Sequence, residues 1–137
     1  VEQLSSAQKL YREVGGVHTA VLSDGERVLV SAEDVGRHNA LDKIAGRFLL
    51  DNLQPSRRIL LTTGRISSEM LQKAARMGAP FVISRSSASS LSITLAENWD
   101  ITLIGYARND QFIVYTHSER ILQDSVSVIV KPLPKEA

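Results

Sequence analysis

Apolar and polar positions change period several times along the chain. Residues 4–13 (LSSAQKLYRE) have amphipathic helical spacing, with Ser5 or Ser6 as the candidate N-cap and Gly15 as the stop. The stretch VHTAVLSDGERVLVS then contains two extended apolar runs on either side of an Asp-Gly pair at 24–25. Asp-Gly between alternating runs predicts a β-hairpin. The chain therefore begins with a helix followed by two antiparallel strands.

The next segment is predicted to be a helix from Gly36 to Asn52. Its apolar residues fall in adjacent pairs four positions apart, which predicts a broad buried stripe of Ala40, Leu41, Ile44, Ala45, Phe48 and Leu49. The first two turns (EDVGRHNALDK) are in contrast dense in ionisable groups. This helix start is therefore either a solvated end or a surface that faces a ligand.

From residue 59 onward, continuous apolar runs alternate with helical segments. The runs at 59–61, 81–83 and 101–104 are typical of strands covered on both faces. RISSEMLQKAARMG predicts a helix capped by Ser67 or Ser68 and ended at Gly78, and SLSITLAENW predicts another helix. A further strand is expected after a turn near Asn109, and SVSVIV is a candidate edge strand. The order predicts a three-layer α/β/α fold with a mixed sheet and a largely parallel centre.

Composition narrows the functional classes. The chain has 137 residues, of which 43% are hydrophobic and 23% charged, and these values fit one compact domain. The domain is expected to span residues 1–120, followed by a C-terminal extension and frayed tail at 121–137. A formal net charge of +1 gives no whole-surface signal for nucleic acid or membrane. Cysteine is absent, so this chain has no disulfide, thiolate nucleophile or cysteine-ligated metal. Without an export signal, a cytoplasmic location is expected.

An arginine follows each predicted strand of the sheet centre. These residues are Arg37, Arg65, Arg85 and Arg108. The carboxyl ends of parallel strands meet at one edge, near helix N-termini that attract anions, so four guanidinium groups are expected to converge there. Hydroxyl donors surround them, namely Thr62, Thr63, Ser67, Ser84, Ser86, Ser87 and Ser89. The pattern predicts a polyanionic ligand, although Ser67 and Ser89 taken singly are better explained as helix caps.

The histidines offer weaker signals. His38 lies one helical turn before Asp42, so the two side chains can hydrogen-bond. An imidazole oriented in this way can act as an acid, a base or a hydrogen-bond donor to phosphate. His38 can also have a structural role only. His18 follows two glycines that allow a close backbone approach to a ligand. His117 is expected to be peripheral, and the histidine spacing predicts no metal site.

The combination of GGVHTA, EDVGRHNALDKIAG, TTGRISSEMLQKAARMGAPFVISRSSAS and LIGYARNDQFIVYT resembles the FdhD family over about residues 4–120. These proteins are the formate dehydrogenase accessory sulfurtransferases. The resemblance implies a cytidine-deaminase-like domain and homodimers. It also implies transfer of sulfur from a cysteine desulfurase to the bis-molybdopterin guanine dinucleotide cofactor, with Mo or W, of the formate dehydrogenase catalytic subunit.

The resemblance also implies a site for the guanine nucleotide ends of that cofactor, with GDP or GTP as analogue ligands. Asp42 or Glu69 is expected to read guanine through its adjacent N1–H and N2–H donors. The full set of expected cofactor-binding residues is His18, Arg37, His38, Asn39, Asp42, Thr63, Gly64, Arg65, Ser67, Glu69, Arg85, Ser86, Ser87 and Arg108.

Two departures from related patterns matter. Zinc deaminases place His-x-Glu and Pro-Cys-x-x-Cys at two helix starts. The resemblance implies that VGRHNA and TGRISSEM take those places in this chain. The Cys-x-x-Cys sulfur carrier of the family is absent, so no catalytic residue is predicted in this chain. Because residue 1 is valine and the family pattern begins upstream, the chain is expected to be a C-terminal part of a longer protein.

Three functional hypotheses remain open. The first is the cofactor-binding domain of a sulfurtransferase. The second is a nucleotide-binding or chaperone module without sulfur chemistry. The third is a deaminase-like or phosphate-ester hydrolase that uses His38 and Asp42.

Overall fold

The computed structural model describes residues 1–108, residues 111–122 and the backbone of 127–130. The helices are α1 (Glu2–Ala7), α2 (Lys9–Val14), α3 (Arg37–Leu50), α4 (Ser68–Arg76) and α5 (Ser90–Asn98), with a 3-10 turn at Ser118–Arg120. The strands are β1 (His18–Ser23), β2 (Val28–Asp34), β3 (Ile59–Thr62), β4 (Phe81–Ser84), β5 (Thr102–Gly105), β6 (Gln111–Val114) and β7 (Ser127–Val130).

The strands form one mixed sheet in the order β2-β1-β3-β4-β5-β6-β7. β3, β4 and β5 are parallel, and β1 is antiparallel to both β2 and β3. β2 therefore runs in the same direction as β3, so β2, β3, β4 and β5 all end at one edge of the sheet. The prediction of a mixed sheet with a parallel centre is confirmed, and the predicted edge strand in SVSVIV is β7, paired parallel with β6.

Three helices cover one face of the sheet and one short helix covers part of the other. α3, α4 and α5 bury apolar side chains against alternate strand residues, because successive strand side chains point to opposite faces. On the second face, Leu4 of α1 packs against Val21 and Leu61. The three-layer prediction is confirmed, with a thin third layer. The core of the thicker side includes Leu22, Leu41, Ile44, Leu60, Met70, Leu71, Val82 and Leu103.

The predicted N-terminal helix is two helices, and neither serine caps it. Ser5 and Ser6 lie inside α1, and the chain bends at Gln8 (φ −79°, ψ 55°) before α2. The Glu33 carboxylate accepts hydrogen bonds from Leu10 N (3.1 Å) and Tyr11 N (2.9 Å), so β2 supplies acceptors for the first turn of α2. The break is therefore stabilised by a residue distant in sequence.

α3 and α4 end where their sequences predict, but one residue of α3 differs from its predicted burial. α3 begins after Gly36 and ends at Leu50, within the predicted bounds. Leu49, expected in its buried stripe, is instead 76% exposed, so the buried stripe does not include the last turn of α3. Gly78 ends the α4 segment with φ +67°, a conformation that favours glycine.

The remaining predictions concern the C-terminal part of the chain. The turn near Asn109 and the tail at 131–137 lie outside the described residues. The division at residue 120 stays a prediction, although β7 belongs to the same sheet as the rest. Among the helices that the structure describes, none combines the length and apolarity needed to cross a bilayer.

Candidate functional site

The four arginines that follow the strands lie at one edge of the sheet but in two groups. Arg37 and Arg65 line a cavity of about 360 Å³ on the side of α3, α4 and α5. Arg108 lines a different cavity of about 520 Å³ over the second face, beside Leu61 and Ile83. The prediction that all four guanidinium groups converge was therefore wrong, because residues that share an edge can still lie on opposite faces of a sheet.

We call the cavity of Arg37 and Arg65 the helix-side cavity. Its lining residues are Arg37, Arg65, Ile66, Ser67, Ser87, Ala88, Ser89 and Ser90. They come from the N-terminal ends of α3, α4 and α5 and from the loops before α4 and α5. Backbone N–H groups at helix N-termini lack intrahelical acceptors and carry partial positive charge, so the cavity is suited to an anion.

Arg37 is held at this cavity by a close approach to the β3–α4 loop. A Cβ on Gly64 would lie 2.8 Å from Arg37 Cβ, which is closer than two carbons can approach. Glycine at 64 is therefore required for the Arg37 stem to lie against the loop. The Arg37 Nε is buried and has no hydrogen-bond partner among the described residues. A buried donor without an acceptor is costly. Because Arg37 also lines the cavity, its side chain is a candidate for stabilisation by an anion bound there.

Arg65 occupies a different setting in the same cavity. It lies in the β3–α4 loop just before α4 and is exposed. Its guanidinium is therefore free of the packing that restricts Arg37, and its fork can adapt to a phosphate.

The two loops that line the helix-side cavity are joined to each other. Ile66 N donates to Ser87 O (2.9 Å), and Ser89 N donates to Ile66 O (2.9 Å). The Ser92 hydroxyl donates to Ile66 O as well (3.0 Å). These bonds continue the parallel pairing of β3 and β4 beyond the ends of the strands, with Ile66 opposite Ala88. The lining residues are therefore held in fixed relative positions.

Buried hydroxyls at the ends of β3 and β4 form hydrogen bonds with the backbone of the same two loops. Ser84 Oγ donates to Gly64 O (2.6 Å) and accepts from Ser86 N (2.9 Å), while Thr62 Oγ1 accepts from Gly64 N (3.1 Å). Thr62 is 1% and Ser84 0% exposed. Both were expected to be ligand donors, but both side chains are buried, and the Ser84 hydroxyl proton is used on Gly64 O.

The serine caps were predicted correctly. Ser67 Oγ accepts from Met70 N (3.3 Å) at the start of α4, and Ser89 Oγ accepts from Ser92 N (3.2 Å) at the start of α5. Accepting this bond leaves the Ser67 hydroxyl proton available, so the residue can cap its helix and still donate to a ligand.

The acidic residues around the start of α3 are largely engaged within the chain. Asp34 binds Lys43 Nζ (2.8 Å) and accepts from Gly36 N (2.9 Å) and Asn39 Nδ2 (3.3 Å). Lys43, followed by the Gly36 N–H, lowers the pKa of Asp34 to about 2. Asp34 therefore holds the β2–α3 turn together, and the Asn39 amide is partly committed to it.

Asp42 does not orient His38 as predicted. Its carboxylate pairs with Lys73 Nζ of α4 at 2.9 Å, because α4 packs beside α3 and presents this cation to it. His38 is half-buried on the first turn of α3. The proposed His38–Asp42 pair is thus replaced by a bridge between two helices.

His18 and Thr63 meet at the same edge of the sheet. β1 runs opposite to β3, so its first residue lies near the end of β3. His18 Nδ1 is 3.2 Å from Thr63 Oγ1, and that hydroxyl accepts from Thr19 N (3.0 Å). Both residues belong to the expected cofactor-binding set, and they lie outside the residues that line the helix-side cavity.

The Arg85 side chain lies on the second face of the sheet, where it contacts the N-terminal segment. Its Nη1 donates to Gln8 Oε1 (2.7 Å) and its Nη2 to Ser5 Oγ. Burial, and then the nearby Arg108 cation, lower the pKa of Arg85. Arg85 was expected to contact phosphate from the common edge; here it attaches α1 to the end of β4.

The remaining predicted residues lie around the helix-side cavity. Ser87 lines it directly, and Ser86 supports it through the bond from its N–H to Ser84. Glu69 is exposed on the first turn of α4. Within residues 1–108 and 111–122, His, Asp and Glu side chains form no cluster of three that could hold a metal ion.

The strand order and the parallel centre are those of a cytidine-deaminase-like α/β fold. The crystal structure of apo dCMP deaminase from the cyanophage S-TIM5 has this fold, with a TM-score of 0.58 and 11% identity over 76% of this chain and 94% of that one. The FdhD/NarQ family model matches residues 1–122, and the chain belongs to this family.

Individual relatives agree with this assignment. The chain is 45% identical over 121 residues to a sulfur carrier protein FdhD of Bacillus subtilis, and 44% identical over 120 residues to one of Staphylococcus aureus. A crystal structure described as a formate dehydrogenase accessory protein, from Desulfotalea psychrophila, has a TM-score of 0.79 and 41% identity over 88% of this chain and 52% of that one. The matched segment covers 88% of this chain but only 46% and 45% of the length of the two curated relatives.

Proposed function

We propose that this chain is the part of a formate dehydrogenase accessory sulfurtransferase that binds the guanine nucleotide ends of bis-molybdopterin guanine dinucleotide. The observation that carries the proposal is a cavity lined by Arg65 and by Arg37, whose buried Nε has no hydrogen-bond partner among the described residues. Relatives described as sulfur carrier proteins FdhD support the accessory role. The cysteine desulfurase and the formate dehydrogenase catalytic subunit are the proposed partners, and a homodimer is the proposed assembly.

The helix-side cavity fits the phosphates of such a ligand. Its volume of about 360 Å³ lies in the ordinary range of small-molecule sites. Arg37 and Arg65 would bind pyrophosphate oxygens through charge-assisted hydrogen bonds, and the Ser67 and Ser87 hydroxyls would donate to the same oxygens. The nearby helix N-termini add to the positive potential.

The guanine base requires an acceptor for its N1–H and N2–H donors. Asp42 and Glu69 are the two candidates on α3 and α4. Because Asp42 is already paired with Lys73, we favour Glu69, which is exposed on the first turn of α4. A single carboxylate facing both donors would select guanine over adenine.

Sulfur chemistry must be supplied from outside this sequence. A persulfide is carried on a thiolate, and the chain contains no cysteine. When the cofactor is bound, its molybdenum or tungsten centre is the acceptor of the sulfur. The residues of this chain bind and orient the nucleotide ends.

Calorimetric titration of GDP tests the proposal. Each charge-assisted contact is worth about 1.5–3 kcal/mol, so Arg37→Ala and Arg65→Ala should each weaken binding roughly ten- to hundredfold. Arg47→Ala is the matched control, because Arg47 is exposed on α3 and paired with Asp51. ADP at the same salt concentration tests base selectivity. The proposal would be contradicted if the folded Arg37→Ala and Arg65→Ala variants bound GDP as tightly as the wild-type chain does.

The two alternatives have less support. The hydrolase hypothesis needed a carboxylate beside His38, and Asp42 pairs with Lys73 instead. A nucleotide-binding module without sulfur chemistry makes the same prediction for GDP. The full coding sequence distinguishes it, since a sulfurtransferase would contain a Cys-x-x-Cys segment.

A further inference from the structure

A continuous groove crosses the edge of the sheet opposite the helix-side cavity, where the parallel strands β3, β4 and β5 begin. It consists of three adjoining cavities of about 250, 260 and 410 Å³. The first two share Gly78 and Pro80 as lining residues, and the second and third share Ala75 and Trp99. We call this surface, which extends from Arg57 past Pro80 to Trp99, the strand-start groove.

Trp99 has a fixed position at one end of the strand-start groove. It follows α5 and is 42% exposed, and its N–H donates to Leu95 O (2.8 Å). The next residue, Asp100, has a φ of +61°, which a residue with a Cβ adopts at a cost in stability. Arg120 holds this conformation, because its Nη1 donates to Asp100 O (2.7 Å) and its Nη2 to Asp100 Oδ1 (2.6 Å). The turn therefore keeps a large aromatic side chain at the surface.

Arg58 is held in place at the other end of the strand-start groove. Its guanidinium lies over the Phe48 ring, 5.1 Å from the centroid, and its Nη1 donates to Met77 O (2.9 Å). An arginine has five N–H donors, so this bond leaves others for a partner. Because both ends of the groove are positioned in advance, a partner would not have to order them, which lowers the cost of binding.

The charges along the strand-start groove are mainly positive. Its cationic lining residues are Arg57, Arg58 and Arg76. The lining also includes Asp100, whose carboxylate is already paired with Arg120 at 2.6 Å. Arg76 is exposed and has no ion pair among the described residues, and the exposed Glu26 lies 3.8 Å from Arg57. The groove is therefore complementary to a negatively charged partner.

We propose that the strand-start groove docks an acidic segment of a partner protein that carries an apolar anchor side chain. The anchor would pack on Trp99 and Pro80, and the carboxylates would pair with the arginines. Tryptophan and arginine are enriched among the residues that dominate interface energies. The apolar middle of the groove, with Ala79 and Ile101, favours a peptide over a nucleic acid, whose binding depends on cations that follow the phosphate backbone.

This inference does not depend on the nucleotide-binding proposal. The helix-side cavity lies where the parallel strands end, and the strand-start groove lies where they begin. A partner docked in the groove would therefore leave the cavity accessible.

Peptide titrations test the proposed docking. The probe is a synthetic peptide with a Leu-Phe pair between two runs of glutamate. Since Trp99 is the only tryptophan in the sequence, its fluorescence reports binding to the wild-type chain, and its emission should change on titration. In calorimetry, Trp99→Ala and Arg76→Glu should each weaken binding at least roughly tenfold. Replacing the glutamates by lysines, or the Leu-Phe pair by alanines, should weaken binding by at least about the same factor.

Two matched variants control for nonspecific effects, with circular dichroism confirming that every variant is folded. Tyr11→Ala removes an exposed aromatic side chain on α2, and Arg47→Glu reverses an exposed charge on α3. Both should bind the acidic peptide within about twofold of wild type, because they leave the groove intact. The inference is overturned if Trp99 emission does not change, if the lysine peptide binds as tightly, or if the controls weaken binding as much as the groove variants do.

Other occupants of the strand-start groove would also overturn the inference. Tighter binding of oligothymidylate than of the acidic peptide would assign the groove to nucleic acid. A dimer in sedimentation experiments that dissociates in Trp99→Ala would assign it to a second copy of this chain.

Discussion

At the residue scale, the charged start of α3 divides into groups with different tasks. Asp34 and Asp42 are each paired with a lysine, at 2.8 Å and 2.9 Å. Arg37 instead has a buried donor without a partner among the described residues, and its position depends on the missing Cβ of Gly64. The acidic residues therefore mainly hold the local structure, and Arg37 is the member of the group that is suited to a ligand.

The Asp34 contacts predict a pH-dependent contribution to stability. Because the pKa of Asp34 falls from its usual 3.8 to about 2 in the folded chain, its stabilising effect is fully present above about pH 4. It is lost as the pH falls toward 2. Asp34→Asn should therefore lower the melting temperature at pH 7, and its difference from wild type should shrink between pH 4 and pH 2.

Thermal denaturation across this pH range is the measurement. Asp51→Asn is the control, because Asp51 forms an exposed pair with Arg47 on one helix and should contribute little at any pH. A constant difference between wild type and Asp34→Asn down to pH 2 would contradict the assignment.

At the element scale, the strand ends and helix starts form one connected unit. Backbone bonds join the β3–α4 loop to the β4–α5 loop, and the hydroxyls of Thr62, Ser84 and Ser92 satisfy backbone groups inside it. Three helices thus begin at fixed positions around the helix-side cavity. A ligand there would not have to order the loops, which lowers the cost of binding.

Ser84→Ala tests this unit. The substitution leaves Gly64 O and Ser86 N–H without their partner in a buried position, so the free energy of unfolding should fall by about 1–3 kcal/mol. GDP affinity should fall as well, because the lining loops loosen. Urea denaturation measures the first effect, with the exposed Ser6→Ala expected within about 0.5 kcal/mol of wild type. Unchanged stability of Ser84→Ala would show that the hydroxyl is dispensable.

At the scale of the whole molecule, the proposed ligand binding can be tested separately from sulfur transfer. The described residues that line the helix-side cavity include Arg37 and Arg65, whereas the chain has no thiol. Incubation with a cysteine desulfurase and ³⁵S-cysteine should therefore leave no stable label on the purified 137-residue chain, even under conditions where it binds GDP. Persistent label after denaturation and desalting would show that another residue carries sulfur.

The sequence by itself determined most of the secondary structure. The β-hairpin, the start of α3, the capped helices α4 and α5 and the three parallel strands follow from local signals. Asp-Gly turns, serine caps and the period of apolar residues act within a few positions of the chain. The break at Gln8 was missed because its stabilising acceptor, Glu33, is 22 residues away from Tyr11.

The composition of the candidate site was visible in the sequence, but its grouping was decided by the tertiary structure. Arginine after each strand follows from one-dimensional order, and the shared direction of β2, β3, β4 and β5 places all four residues at one edge. Whether a side chain then lies over α3, α4 and α5 or over α1 depends on loop geometry and on long-range partners such as Gln8 for Arg85. Those partners come from distant segments, so only the folded chain separates Arg37 and Arg65 from Arg85 and Arg108.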